Sequence, residues 1–360
     1  MRKGFLDVFV LLMLVAATLL SGCASAPTDK AADEQKGVVI DDQIIIGLSM
    51  SDLRVERWQR DRDLFTQRAE ALGASVIAVS ADLDAEIQNS QIENLILQGV
   101  DVLVVIAHDG VKTSSIVEKA HAAGIQVIAY DRLIKDSDLD FYISFDNVKV
   151  GEEEAKAVVN VAPKGKYAYL GGSDTDNNAH LVKEGSFNVL QPLIDSGDIE
   201  VVLDVFNDGW KSTEAYSQLK AYLDAGNTVD AVVAANDGTA LGAIQALEEK
   251  GLAGKVPVSG QDASLGSCQS VVEGVQTVTV YKPLSAIAYK AADIAVQFAK
   301  GESVESTSTV NNGKIDVPSY LLDVVGVTKD NMMETVIADG FHSYEEVYQN
   351  VPASERPATQ

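Results

Sequence analysis

The chain has 360 residues, of which 46% are hydrophobic and 22% are charged, and its formal net charge at pH 7 is -25. This length predicts about two domains, each large enough to bury its own core. The excess of negative charge argues against nucleic-acid partners, because phosphates would be repelled, and it is otherwise typical of a solvated surface.

The first 42 residues are predicted to direct and tether the chain. Arg2 and Lys3 precede an apolar stretch, 8–20, that is shorter than a typical transmembrane helix and is typical of a signal peptide. The stretch ends at Leu20-Ser21-Gly22-Cys23, which resembles the bacterial lipobox and implies cleavage before Cys23 and its lipidation. The alternative is an ordinary secretory signal cut near 24–26. We therefore expect a lipoprotein signal peptide over 1–22, and the lipidated cysteine with a flexible tether over 23–42.

From residue 43 onward, strand patterns alternate with helix patterns. Apolar runs rich in β-branched residues predict strands over 44–48, 76–79, 102–106, 127–130, 141–145, 167–170, 201–205, 231–235, 256–260, 277–281, 307–310 and 320–325. Helical spacing, mostly closed by glycine, predicts helices over 55–72, 84–98, 113–123, 148–161, 183–196, 212–225, 239–250 and 285–299. This alternation indicates an α/β fold built from βαβ units around parallel sheets.

The pattern restarts after Asn147, which predicts two similar lobes. We assign 43–147 and about 283–311 to the first lobe, 148–282 and about 312–350 to the second, and 351–360 to a disordered tail. A cleft between two such lobes is a preferred place for a small ligand, and hinge closure around that ligand is an established response.

Polar clusters follow six of the predicted strands, where ligands of open α/β sheets bind. Asp131 and Arg132 follow one strand and offer an acceptor beside a fork of donors; the alternative is a surface ion pair or a helix cap. Asn236 and Asp237 follow another strand. Asp237 is interpreted as the cap of the next helix, which would leave Asn236 for a ligand. Lys282 ends a further strand and is equally consistent with a solvated lysine.

Trp58 and Trp210 are the two tryptophans of the chain, and each lies in a polar stretch after an apolar run. Flat aromatic rings suit the C–H faces of a sugar, while carboxylates, amides and guanidinium groups suit its hydroxyl rim. That both rings simply cover a core is an equally open interpretation.

Catalytic and metal-binding motifs are missing from the sequence. There is no nucleophile elbow, no dinucleotide-binding glycine motif and no phosphate-binding loop. The four histidines are scattered, so we expect no metal site and no cofactor. A glycosidase carboxylate pair remains open, because acidic residues are abundant. The balance favours a binding protein over an enzyme.

Several segments, in the right order, resemble the periplasmic sugar-binding proteins of ABC importers, and among them the xylose-binding members. The resemblance covers about 44–342. The segments that match the family are Asp52-Leu53-Arg54-Val55-Glu56-Arg57-Trp58-Gln59, Phe141-Tyr142-Ile143-Ser144-Phe145-Asp146-Asn147, Asp176-Asn177-Asn178-Ala179, Asp208-Gly209-Trp210, Gly260-Gln261-Asp262-Ala263, Val280-Tyr281-Lys282-Pro283 and Asn311-Asn312-Gly313.

This resemblance implies the type I periplasmic-binding-protein fold, with two parallel-sheet lobes joined by a multi-strand hinge. It implies sugar contacts from Arg57, Trp58, Asp131, Arg132, Asn178, Trp210, Asn236, Asp262 and Lys282. Asp174 and Asp176 are interpreted as loop acids beside this set.

The resemblance further implies a lipid-anchored, extracytoplasmic receptor for a monosaccharide, D-xylose first, that delivers its ligand to an ABC permease. A chemoreceptor is left open as a further partner. The alternatives are a receptor for ribose, arabinose, galactose or glucose, a secreted carbohydrate-active enzyme, and a sugar-responsive transcription regulator. The signal segment and the missing N-terminal helix-turn-helix argue against the regulator.

Overall fold

A computed structural model describes residues 43–358 of the chain. The strands are β1 (Ile45–Met50), β2 (Ser75–Ser80), β3 (Val102–Val105), β4 (Gln126–Tyr130), β5 (Phe141–Phe145), β6 (Gly165–Leu170), β7 (Ile199–Val205), β8 (Ala231–Ala234), β9 (Thr279–Tyr281), β10 (Ser308–Asn311), β11 (Asp316–Leu322) and β12 (Val325–Val327). The α-helices are α1 (Glu56–Ala71), α2 (Ala85–Leu97), α3 (Ser114–Ala122), α4 (Asn147–Val161), α5 (Asn177–Asp195), α6 (Ser212–Asp224), α7 (Asp237–Glu248), α8 (Leu265–Val272), α9 (Leu284–Ala299) and α10 (Tyr344–Val347).

The first lobe is built on a seven-stranded sheet in the order β10-β11-β5-β4-β3-β1-β2. All neighbours in it are parallel except β10, which pairs antiparallel with β11. Separate hydrophobic clusters cover its two faces, which explains why β3 and β4 are apolar at nearly every position. Helix α9 packs on α1 and on this sheet, so the late helix returns to the first lobe as predicted.

The second lobe is built on a three-stranded parallel sheet in the order β7-β6-β8, with a hydrophobic cluster on each face. An antiparallel pair, β12 with β9, lies beside it. Three connections pass between the lobes: from β5 into α4, from β9 into α9, and from β11 into β12. The α/β prediction with mainly parallel sheets is therefore confirmed.

The predicted lobe boundary at about 312 is wrong. The chain does not change lobe there, because Asn311-Asn312-Gly313 forms the turn of the β10–β11 hairpin, in which Asn312 N–H donates to the Ile315 carbonyl at 3.0 Å. Strand β11 then pairs with β5, with Tyr320 opposite Ile143. The chain therefore stays in the first lobe until Leu322.

The predicted disordered tail over 351–360 is also wrong where it is described. Val351 is buried in the cluster around α8 and α10, and Tyr344 Oη donates to the Pro357 carbonyl at 2.8 Å. These contacts tie 351–358 to the second lobe. Residues 359 and 360 lie outside the described part, as do the predicted signal peptide and tether.

Smaller differences concern single elements. Helix α5 begins at Asn177 and not at 183, because the Asp176 side chain accepts a hydrogen bond from Asn178 N–H and caps the helix. Helix α8 has no counterpart in the prediction. The predicted strand at 256–260 is reduced to an isolated bridge between Val258 and Val232. Within residues 43–358, no helix combines the length and the apolarity needed to cross a membrane.

Candidate functional site

A cavity lies where the carboxyl ends of strands from both lobes face each other. All nine residues predicted to contact sugar line it, together with five that were not predicted to do so: Asp52, Val55, Asp176, Gly209 and Gln261. The cavity is narrow, about 40 Å³, because side chains from the two lobes bond to one another across it. That the nine residues contact a sugar stays a prediction.

Two segments of the first lobe supply its part of the lining. Arg57 and Trp58 lie in the first turn of α1, after the loop that leaves β1. Asp131 and Arg132 follow β4 directly, and Asp131 adopts a φ of 62°, a left-handed conformation that is uncommon for residues other than glycine. Its backbone carbonyl accepts hydrogen bonds from Tyr142 Oη at 2.9 Å and Ser144 Oγ at 2.8 Å, which hold it in this conformation.

The buried guanidinium of Arg57 is the centre of the charged part of the site. Its side chain is 5% exposed. Its Nε donates to Asp61 at 3.1 Å, Nη1 to Asp262 at 3.2 Å and Nη2 to Asp131. Tyr130 Oη donates to the other oxygen of Asp61. One cation therefore joins three carboxylates, of which Asp262 belongs to the second lobe.

Burial and charge act against each other on these carboxyl groups. Burial raises the pKa of Asp61 to about 6, and the guanidinium of Arg57 opposes that rise. Burial also disfavours the charged form of Asp131, but Arg57, followed by Lys282, outweighs it and holds the pKa of Asp131 below its usual value. For Arg57 burial is likewise outweighed, by the charges of Asp131, Asp61 and Asp262, so its pKa stays well above the ordinary value. Asp131 and Arg57 are thus ionised at neutral pH.

Further polar contacts join the lobes across the cavity. Asn178 Nδ2 donates to the carbonyl and to the carboxylate Oδ1 of Asp131, both at 3.0 Å. Arg132 Nε lies 2.8 Å from Asp176 Oδ2. Lys282, at one of the connections between the lobes, places Nζ 3.5 Å from Asp262 Oδ1. The residues that line the cavity are therefore also the residues that hold the lobes together around it.

The two tryptophans lie in the same cavity in different settings. Trp58 is buried in the first-lobe core, with the guanidinium carbons of Arg57 and Arg132 at 4.4 and 5.4 Å from its ring centroid. Trp210 is half-buried, rests on Gly172, and donates from Nε1 to Asp176 Oδ2 at 3.1 Å. It adopts a φ of 57°. Trp58 therefore packs in a core and also lines the cavity, and its contact with a sugar stays a prediction.

A comparison with known protein families shows where the chain belongs. Residues 46–303 match the model of a family described as the periplasmic binding protein domain. The chain belongs to the periplasmic binding protein family.

Two relatives of this periplasmic binding protein are named for D-xylose. It is 53% identical over 304 residues to a D-xylose-binding periplasmic protein of Haemophilus influenzae, an alignment that covers 84% of this chain and 92% of the relative. It is 49% identical to one of Escherichia coli, over 93% of this chain and 100% of the relative. A solute-binding protein of Clostridium phytofermentans with bound β-D-glucose superposes with a TM-score of 0.79 at 28% identity, covering 84% of this chain and 99% of that one. The resemblance and the fold class inferred from the sequence are confirmed.

The interpretation of Asp176 as a loop acid of this binding protein is wrong. Asp176 is 3% exposed, caps α5, and bonds to both Arg132 and Trp210. An Asp directly before the first residue of a helix is a capping signal, and this signal could have placed Asp176 at the start of α5. By contrast, Asp174 is largely exposed and lies beside His180, away from the cavity.

The cap of α7 is Asn236 and not Asp237. Asn236 caps α7 through a reciprocal pair with Thr239: Asn236 Oδ1 accepts from Thr239 N–H at 2.8 Å, and Thr239 Oγ1 accepts from Asn236 N–H at 3.1 Å. Asn236 still lines the cavity. Asp237 is the first helical residue, and its carboxylate points into the lobe. The prediction that Asp237 caps the helix is therefore wrong.

Other features of the described residues lie away from this cleft. A larger groove, about 560 Å³, lies on the second lobe between α4 and the segments 254–257, 274–278 and 328–330, but none of the nine residues lines it. Within 43–358, no group of three or more His, Cys, Asp or Glu residues is placed to hold a metal ion. Cys268 is a buried, free thiol in α8. The convergence of buried charge makes the cleft, and not the groove, the candidate site.

Replacing Arg57 by methionine tests the charged centre of the cleft. Arg57→Met should lower the free energy of unfolding by about 3–5 kcal/mol at pH 7, because it leaves buried carboxylates without their partner. Urea denaturation measures the change. Arg54→Met is the matched control: Arg54 lies three residues away, is half-exposed and pairs with Asp52, so a change within about 0.5 kcal/mol is expected. Equal stability of the two variants would show that water, and not Arg57, balances these carboxylates.

Proposed function

We propose that this chain is an extracytoplasmic receptor that captures a monosaccharide between its two lobes and delivers it to the permease of an ABC importer. One observation supports a sugar as the ligand: two indole rings and a set of charged side chains line the same cleft between the lobes. D-xylose is the first candidate, because relatives at 53% and 49% identity bear its name. No covalent chemistry is proposed, since these relatives are named as binding proteins.

The contacts in the cleft suggest how a sugar would be held. Trp58 and Trp210 would cover its apolar faces, while the carboxylates, amides and cations of the rim would bond its hydroxyls. Arg57 and Asp262, and likewise Asn178 and Asp131, already bond to each other across the cleft. A bound sugar would take over part of these bonds, so that its hydroxyls connect the two lobes.

A receptor for another monosaccharide is the second candidate. Solved structures with bound β-D-glucose and D-glucose both superpose with a TM-score of 0.79. A relative at 34% identity, from Rhizobium radiobacter, is named a multiple sugar-binding receptor. Ribose, arabinose and galactose fall in the same class. We expect the cleft to reject the additional CH₂OH group of a hexose, because a pocket shaped around a pentose rejects bulk that it cannot accommodate.

A thermal-shift panel of monosaccharides tests the function and ranks the candidates. A ligand that binds only the native state raises the melting temperature, so D-xylose should give the largest shift and glucose a smaller one. L-xylose, with the same composition and opposite handedness, is the control and should give none. A larger shift with a hexose would transfer the assignment to that sugar. No shift with any sugar would reject the receptor proposal.

Replacing Trp210 tests its stacking role. Trp210→Ala should weaken xylose binding by about 1–3 kcal/mol in calorimetry, as the loss of an aromatic anchor does elsewhere. Trp210→Phe keeps a flat ring and removes the bond from Nε1 to Asp176, so it separates stacking from hydrogen bonding. Tyr216→Ala removes another half-buried aromatic side chain of the same lobe, outside the cavity, and should leave the affinity unchanged. Unchanged affinity in Trp210→Ala would contradict the assignment.

We also propose that Cys23 carries the lipid that anchors the receptor, although it lies outside the described residues. The motif Leu20-Ser21-Gly22-Cys23 supports this proposal. Cells expressing the full chain should incorporate radiolabelled palmitate into it, and Cys23→Ala should abolish the label while secretion continues. A wild-type protein that is released without label would contradict the anchor.

A further inference from the structure

The carboxylate that faces Arg57 from the second lobe stands on a strained turn. Asp262 and Ala263 are consecutive non-glycine residues with φ values of 93° and 49°. Each such conformation is energetically unfavourable for a residue other than glycine and persists only where the surroundings enforce it. The turn carries Asp262 toward Arg57 Nη1 at 3.2 Å and Lys282 Nζ at 3.5 Å. Something beneath the turn must therefore hold it.

Asp237 lies beneath this turn and does not line the cavity. It is 3% exposed, and its carboxylate accepts three hydrogen bonds: from Ser264 N–H at 2.7 Å, Thr279 Oγ1 at 2.9 Å and Gln276 Nε2 at 3.2 Å. Its own N–H donates to the Gln261 carbonyl at 3.0 Å. Asp237 thus bonds to the backbone on both sides of Asp262 and Ala263.

Other bonds complete the support. Thr279 Oγ1, which donates to Asp237, accepts from Ala263 N–H at 3.0 Å. Asp262 N–H donates to the Val280 carbonyl at 2.9 Å. On the other side, His342 Nε2 lies 2.8 Å from the Ala263 carbonyl. Burial lowers the pKa of His342, so its neutral ring donates this bond. Among the groups that accept or donate these hydrogen bonds to the turn, the Asp237 carboxylate is the charged acceptor.

We propose that Asp237 is a positioning residue for ligand binding: it fixes the turn over 261–264 so that Asp262 is held at the site shared with Arg57 and Lys282. The inference rests on the proposed sugar-receptor function. Asp237 would thus affect the affinity for the ligand indirectly, by positioning Asp262, and would not contact the ligand itself.

The ionisation of Asp237 sets the conditions of the test. Burial, followed by the negative charge of Asp262, raises the pKa of Asp237 to about 7, and the three donated hydrogen bonds oppose that rise. Measurements at pH 8 therefore examine the carboxylate form. Asp237→Asn keeps the shape of the side chain but places an NH₂ group opposite a donor.

Calorimetric titration with D-xylose at pH 8 compares the full chain with its variants. Asp237→Asn should raise Kd about tenfold, because one donor of the turn loses its acceptor. The matched control is Asp230→Asn, at the opposite end of β8: Asp230 accepts a bond from the Lys166 N–H at 2.8 Å, but it is exposed and far along the strand from the cleft. It should leave Kd unchanged within about twofold.

A double-mutant cycle separates positioning from general loss of stability. If Asp237 acts through Asp262, the pair Asp237→Asn with Asp262→Asn should bind no more than about twofold more weakly than Asp262→Asn alone. Independent effects would multiply instead, and that result would overturn the proposal. So would wild-type affinity in Asp237→Asn.

Thr279 provides a second route if Asp237→Asn does not fold. Thr279→Ser keeps the hydroxyl and should keep wild-type affinity, whereas Thr279→Val removes it and should weaken binding about threefold or more. Equal affinity of the two variants would overturn the proposal. A wild-type chain that binds no sugar would reject the receptor function and this inference together, while a wild-type chain that binds, with variants that match it, would reject the inference alone.

Discussion

The buried guanidinium of Arg57 is the interaction on which the rest of the cleft depends. A cation this deeply buried is tolerated only when opposite charges and hydrogen bonds replace its hydration, and Asp61, Asp131 and Asp262 do so. Two of these carboxylates come from its own lobe and hold the side chain in place. The third comes from the other lobe and accepts from Nη1, so all three guanidinium nitrogens have a carboxylate partner only when the lobes meet.

Strain and support are paired throughout this cleft. Asp131, Trp210 and Asp262 all have positive φ, although each carries a full side chain. Such conformations concentrate at functional sites because a short turn at the end of a strand must aim a side chain across the cleft instead of continuing the sheet. Each is held by bonds to buried groups, as Tyr142 and Ser144 hold the carbonyl of Asp131. The supporting residues are therefore as necessary to the geometry as those that line the cavity.

Much of this arrangement follows from the sequence, and the exceptions have physical reasons. Parallel strands have their carboxyl ends at the same edge of a sheet. Polar residues after apolar runs, read together with the family resemblance, therefore predict that Arg57, Asp131 and Asn236 lie around one cavity. The roles of Asp176 and Asp237 could not be obtained that way. A capping signal marks the position of Asp176 locally, but its contact with Arg132 and the contact of Asp237 with Thr279 join residues that are distant in sequence. The predicted lobe boundary was wrong for a similar reason, because a hairpin turn and a change of lobe both follow a strand with polar residues and glycine.

The bonds between the lobes also bear on affinity. A ligand that enters this cleft gains hydrogen bonds only in exchange for those that the side chains already make, such as Asn178 to Asp131 and Arg57 to Asp262. Replacing one hydrogen bond by another contributes little net free energy of binding. A ligand that leaves a buried charge without a partner is, in contrast, strongly disfavoured. Affinity should therefore come mainly from the apolar area of the indole rings, because covering that area breaks no hydrogen bond. Selectivity should come from the charged rim, because a sugar with a misplaced hydroxyl leaves one of these buried groups without a bond.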